Sequence, residues 1–283
     1  MISAIGVIGA GQMGSGIAQV AAQSGYEVCV TDLSSGALEK GRLSIEKSVK
    51  RFVDKEQLNA NEAQTILQRI NWSEKLETLA GTHLVIEAVS EQESLKIDIF
   101  KRLDTQMNRD AIFASNTSSI SITRLAAATT RPERFIGMHF MNPVPVMKLV
   151  EIICGLQTSE ETFLEVKAIA EKMGKVTTKS LDYPGFIANR ILMPMINEAF
   201  FALMEGLASA DDIDKTLQLG ANHPMGPLKL ADMIGLDTCL SIMEVLHGQL
   251  GDSKYRPCPL LRQYVAAGRL GKKSAAGVYS YGI

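Results

Sequence analysis

Cysteine, histidine and tryptophan are scarce in this chain, which holds four, four and one of them among 283 residues. The cysteines, Cys29, Cys154, Cys239 and Cys258, stand far apart with no CxxC pair. That pattern carries no sign of a disulfide framework and is compatible with free thiols in a reducing compartment. The histidines, His83, His139, His223 and His247, show no metal-ligand spacing, so no zinc or other metal site is expected. No apolar run approaches the roughly 18–20 residues a membrane span needs. A formal net charge of −2 supplies no basic field for nucleic acid or an anionic membrane surface. Neither partner is expected, and any anionic ligand must be recruited by local positive groups. The opening MISAIGVIGAG has neither a basic leader with a cleavage site nor an arginine-rich transit pattern, so the expected compartment is the cytoplasm.

What is present is a globular balance, 46% apolar and 21% charged, in a chain long enough for one large domain or two ordinary ones. ISAIGVIG (2–9) reads as a buried parallel strand that ends in glycines. GSGIAQVAAQS (14–24) reads as a helix packed close on a sheet, and YEVCVTD (26–32) as the next strand. Together they make a βαβ unit. A long helical stretch is expected over 34–70, then a strand at HLVIEAV (83–89), a helix near 91–108 and a strand at AIFASN (111–116). RFIGMHF (134–140) and KLVEIIC (148–154) read as extended segments joined by NPVPVM, whose prolines forbid a continuous helix. A helix over 159–173 and a strand over 175–180 follow. Beyond Asp182-Tyr183-Pro184-Gly185 the β-branched runs stop and helical periods take over. The expected architecture is α/β: a Rossmann-type dinucleotide-binding domain over 1–182, followed by a smaller all-helical domain over 183–283. The dense apolar helices of the second domain suit a homodimer face, although a monomeric bundle needs many of the same residues.

Gly9-Ala10-Gly11-Gln12-Met13-Gly14 is GxGxxG between an expected strand and an expected helix, and Asp32 ends the next strand eighteen residues past Gly14. The glycines permit a tight turn, backbone approach to a pyrophosphate and close helix–sheet contact. The helix N-terminus then offers N–H groups to phosphates. Asp32 is placed to bind an adenosine ribose and to repel a 2′-phosphate, so NAD is the expected cofactor and NADP a weaker alternative. A glycine turn in an unrelated α/β fold is the plain competing reading. Ser115-Asn116-Thr117-Ser118-Ser119 follows the fourth strand, where open parallel sheets bind ligands, but an ST-turn capping the next helix accounts for the same letters. His139 and Glu151 stand twelve residues apart in GMHFMNPVPVMKLVEI. Alone, they fit a core histidine and a strand-end glutamate better than a general base held by a carboxylate.

Taken in order, GAGQMGSGIAQ, SNTSS, GMHFMNPVPVMKLVEI, PGFIANRIL and GPLKLADMIGLD resemble the L-3-hydroxyacyl-CoA dehydrogenase family along essentially the whole chain, and its short bacterial branch most of all. The resemblance implies hydride transfer between NAD(H) and a short-chain 3-hydroxyacyl-CoA, with (S)-3-hydroxybutyryl-CoA and acetoacetyl-CoA as the expected pair. It places the catalytic base at His139 and its carboxylate partner at Glu151. Ser118 would bond the reacting oxygen, Asn189 would contribute from the helical domain, and Asn142 would contact substrate. The active site would then lie between the two domains. Gly9, Gly11, Gln12, Met13, Gly14, Asp32, Glu91, Lys96, Asn116 and Lys273 fall on cofactor positions, with Lys272 an alternative to Lys273. Ser48 and Lys55 fall on positions that contact CoA. Met141 departs from the aromatic residue common there, which would alter pocket shape more than chemistry, and His223 reads as structural. Two further readings stay open: a same-fold dehydrogenase of a free hydroxy acid or sugar acid, and a non-catalytic NADH-binding protein. His139 and Glu151 can meet only if the NPVPVM loop folds back, since twelve extended residues span roughly 40 Å.

Overall fold

The computed structural model describes residues 4–282, so Ile2 and Ser3 of the expected first strand lie outside the described residues. The chain divides into two compact units, the first ending at Tyr183 and the second beginning at Pro184. The first unit opens with β1 (Ala4–Ile8), α1 (Gln12–Gln23) and β2 (Glu27–Thr31). The expected helical stretch over 34–70 is broken: α2 (Ser35–Asp54) and α3 (Ala60–Gln68) are separate helices, and β3 (Ile70–Ser73) follows. The cause of the break is local. The Asn59 side chain accepts from the Glu62 amide at 2.9 Å and the Glu62 carboxylate accepts from the Asn59 amide at 2.8 Å, a capping box that starts a new helix. Short apolar INWS then finds its partner in β2, where Val28 faces Ile70 in parallel register.

Next come β4 (Leu84–Glu87), α4 (Glu93–Gln106), β5 (Ile112–Ser115), α5 (Ile122–Ala126), β6 (Phe135–Phe140), β7 (Leu149–Cys154), α6 (Glu160–Lys172) and β8 (Val176–Leu181). The eight strands form one sheet in the order β3-β2-β1-β4-β5-β6-β7-β8. Among the described strands of this sheet only the β6–β7 pair is antiparallel. The central strands read Val/Ile/Leu because helices cover both faces: Ile5, Val7, Val30, Leu84, Ile86 and Ile112 are wholly buried. The small residues of α1, among them Gly14, Gly16, Ala18 and Ala21, are buried too and let that helix lie close on the sheet.

The second unit is helical, with α7 (Ala188–Met204), α8 (Ala210–Gly220), α9 (Pro227–Ile234), α10 (Leu236–Leu250) and α11 (Pro259–Ala266) around Phe200, Leu228, Cys239, Met243 and Leu246. Two buried carboxylates fix its chain ends. Asp214 accepts from the amides of Leu228 (2.8 Å) and Lys229 (3.0 Å), the orphan donors of the first turn of α9. Asp232 accepts from the amides of Val278 and Tyr279, both at 2.9 Å, and from the Tyr281 hydroxyl at 3.0 Å. Burial, and then the Asp232 hydrogen bond, push the Tyr281 phenol up to about 12, so it stays protonated and donates. Asp232→Ala leaves two backbone amides without their acceptor and should cost about 3 kcal/mol in urea unfolding. Asp232→Asn should cost less, because its carbonyl oxygen can still accept.

Candidate active site

A Cβ on Gly14 would stand 1.8 Å from the Gly9 carbonyl oxygen, and Gly9 itself has φ +100°. The turn between β1 and α1 is therefore closed to any other residue at either place. Gly11, the N-cap of α1, is exposed and offers no side-chain cap, so the amides of Gln12 and Met13 open the helix toward solvent. Asp32, just past β2, has both oxygens oriented by backbone: Oδ2 accepts from Ala10 at 2.9 Å and Oδ1 from Ser34 at 3.0 Å. Gly9, Gly11 and Asp32 line a cavity of about 420 Å³, together with Leu33, Val89 and Ile99. Helix amides for a pyrophosphate, a carboxylate for a ribose and an apolar slot for a base are what an adenine dinucleotide requires, and these residues fit NAD.

A second cluster lies past the carboxyl ends of β4 and β5. Glu87 closes β4 with no exposure, and its Oε1 accepts from Lys96 Nζ at 2.6 Å and from the Val89 amide at 2.7 Å. Its Oε2 accepts from the Ser115 hydroxyl at 2.6 Å. Lys96, 1% exposed, stands 3.4 Å from Glu91 Oε2. Glu91 Oε1 then gathers the SNTSS turn, accepting from Thr117 Oγ1 (2.6 Å), the Ser118 amide (2.8 Å) and the Ser119 amide (3.1 Å). The Ser118 and Ser119 hydroxyls point to the same oxygen at 3.2 and 3.1 Å. Burial opposes the charge on Glu91, but Lys96 and these donors outweigh it and hold the carboxyl below its ordinary 4.5. Thr117 Oγ1 also accepts from the Ser119 and Ile120 amides at 3.2 and 2.8 Å, an ST-turn held by Glu91, but α5 is capped by Ser121 and not by this turn.

The third element is the β6–β7 pair. His139 faces Glu151 directly across the antiparallel ladder, which puts both side chains on one face of the sheet. Their Nδ1 and Oε2 atoms are 2.8 Å apart, with Glu151 1% and His139 8% exposed. A carboxylate beside Nδ1 favours the tautomer that carries its proton on that nitrogen. Asn116 Oδ1 accepts from the Phe140 amide at 2.9 Å and so fastens the SNTSS segment to the strand that carries His139.

The structure gathers Asn116, Ser118, Glu91, Lys96, His139 and Glu151 at the ends of β4 to β7. The other candidates fall on further elements of the two units. Ser48 and Lys55 are two helical turns apart, on α2 and at its C-cap, and thus on one face. Asn142 is exposed in the loop after β6. In the helical unit, Asn189 is buried near the start of α7, and Lys273 pairs with Asp237 at 2.6 Å. The sequence reading missed Glu87, although one acidic residue inside HLVIEAV was a usable signal. Among the described residues no helix is long and apolar enough to cross a membrane.

The glycine turn, Asp32 and the sheet-end cluster define a dinucleotide-binding α/β protein. Residues 4–182 match the family model of the 3-hydroxyacyl-CoA dehydrogenase NAD binding domain, and residues 185–281 match that of the 3-hydroxyacyl-CoA dehydrogenase C-terminal domain. The chain belongs to the 3-hydroxyacyl-CoA dehydrogenase family. It is 55% identical to 3-hydroxybutyryl-CoA dehydrogenase of Bradyrhizobium diazoefficiens over 281 residues, 99% of this chain and 96% of that one. It is 41% identical to the mitochondrial hydroxyacyl-coenzyme A dehydrogenase of Homo sapiens, over 99% of this chain and 92% of that one. The crystal structure of (S)-3-hydroxybutyryl-CoA dehydrogenase PaaH1 from Ralstonia eutropha superposes with a TM-score of 0.98 at 51% identity, covering 100% of both chains.

The depressed Glu91 pKa gives a pH prediction with a definite sign. A carboxyl that ionises more readily when folded supports the turn above its unfolded pKa and releases it as pH falls through the lower, folded value. The Ser118 and Ser119 amide resonances should therefore titrate with a midpoint below 4.5. A midpoint at or above that value contradicts this account of the turn.

Proposed function

We propose that the protein is an NAD-dependent dehydrogenase that interconverts short-chain (S)-3-hydroxyacyl-CoA and 3-ketoacyl-CoA thioesters, chiefly (S)-3-hydroxybutyryl-CoA and acetoacetyl-CoA. The observation that carries this is the buried His139–Glu151 pair at 2.8 Å, in a chain that two domain models of one dehydrogenase family match nearly end to end. When bound, the nicotinamide supplies the hydride acceptor in one direction and the donor in the other. The protein's own residues handle the proton. In oxidation His139 Nε2 takes it from the 3-hydroxyl, and in reduction the imidazolium returns it to the ketone oxygen. Glu151 holds the ring's tautomer and orientation.

We assign Ser118 and Asn189 to the reacting oxygen and Asn142 to a substrate contact, with Ser48 and Lys55 meeting the anionic CoA. Gly9, Gly11, Gln12, Met13, Gly14, Asp32, Glu91, Asn116 and Lys273 serve the cofactor. Lys96 serves it through Glu91, since its ammonium is buried against Glu87. On this reading residues 1–182 form the NAD domain, and 183–283 form a helical domain that supplies Asn189 and the contact of a homodimer. Exposed Leu207 and Leu219, at 78% and 86%, support that contact. Asp32 disfavours the 2′-phosphate of NADP. Four free cysteines suit the reducing cytoplasm.

Acetoacetyl-CoA should consume NADH absorbance, NADPH should serve less well, and free acetoacetate should be inert. His139→Gln should bind NADH normally and lose about a thousandfold in kcat. Equal turnover of free acetoacetate, or near-normal turnover by the variant, contradicts the assignment.

A further inference from the structure

Lys175, at the entry to β8, carries a charge that none of these roles uses. It is 7% exposed, and its hydrogen bonds run to the carbonyls of Val144 at 2.5 Å and Met147 at 2.8 Å. Among the described residues no carboxylate pairs with it, and burial holds its ammonium below the ordinary lysine range. A buried, unpaired ammonium is costly, so a fold that keeps one uses it where donors are needed. Both acceptors belong to the NPVPVM loop between β6 and β7. The same loop is fixed at a second point: Val144 is 2% exposed, and a Cβ on Gly16 of α1 would stand 2.8 Å from the Val144 Cβ. The amides of Val146 and Met147 bond to the Pro143 carbonyl at 3.0 and 2.9 Å.

The His139–Glu151 pair does not require this clamp, because the β6–β7 ladder already sets its register. What the clamp fixes is the outer edge of the loop. Asn142 is exposed there, beside Val146 at 68% and Met147 at 42% exposure. An amide next to an apolar edge matches the chemistry of an acyl chain joined to an amide-bearing pantetheine arm. We propose that Lys175 is a positioning residue for the acyl-CoA substrate, holding the 142–147 loop as a preformed wall. Preformed walls raise affinity by removing the ordering cost from binding. The proposal rests on the dehydrogenase reading above.

The test compares wild type with Lys175→Met, which removes charge and donors, and with Lys175→Arg, which keeps both. In Lys175→Met the acetoacetyl-CoA KM should rise about tenfold, while kcat stays within about threefold. NADH Kd should be unchanged, and hydrogen exchange at the Val146 and Met147 amides should quicken. Lys175→Arg should restore most of the KM. If Lys175→Met does not fold, Lys175→Gln, neutral and shorter, should show the same split to a smaller degree. A folded variant with unchanged KM and exchange overturns the proposal, as does one in which NADH affinity and kcat fall with substrate affinity. Absence of acetoacetyl-CoA turnover in wild type would instead overturn the dehydrogenase reading, and the exchange data would still report on the clamp.

Discussion

His139 meets Glu151 because β7 runs antiparallel to β6 in a sheet whose other strand pairs are parallel. Parallel neighbours need a long crossover, whereas an antiparallel pair can be closed by a short loop. The chain thus returns within eight residues, 141–148, and brings position 151 opposite position 139. Side chains alternate along a strand, so a slip of one residue would send Glu151 to the other face of the sheet. Val150 and Ile152, which flank Glu151 on β7, are buried and would also have to change face. The apolar residues on either side of the pair therefore lock the register that makes it.

Buried charge recurs across the first unit, answered twice by an ion pair and once by carbonyls alone. Glu87 and Lys96 neutralise each other beneath the SNTSS turn, and removing either partner alone would strand a charge at a cost of about 3–5 kcal/mol. Arg131 pairs with Asp104 at 2.7 Å and lies over the Phe113 ring, bracing the segment that leads into β6. Lys175 has carbonyls in place of a counter-charge. All three sit next to strands or loops that carry candidate site residues, where fixed geometry is worth its desolvation cost.

The βαβ opening was legible because glycines, an apolar strand and Asp32 fall at spacings that few other arrangements use. The NPVPVM bend was legible because proline excludes helix, and the bend is what gives His139 a partner. INWS was hidden: four residues next to a strongly helical run carry little period of their own, and only pairing with β2 makes them a strand. Glu87 and Lys175 were harder still. A single charge in an apolar stretch shows that something must satisfy it, but the partners, Lys96 and Ser115 for one and two loop carbonyls for the other, are set by tertiary contact. Asn116 stood out in the sequence as a candidate, yet its bond to the Phe140 amide follows only from the adjacency of β5 and β6.

On the proposed reading, Glu151 dictates which imidazole nitrogen of His139 exchanges the proton. Nitrogen NMR of the neutral imidazole reads this directly. The neutral ring should carry its proton on Nδ1 and none on Nε2, with that preference lost in Glu151→Gln. A resting protein whose neutral His139 carries its proton on Nε2 would contradict it.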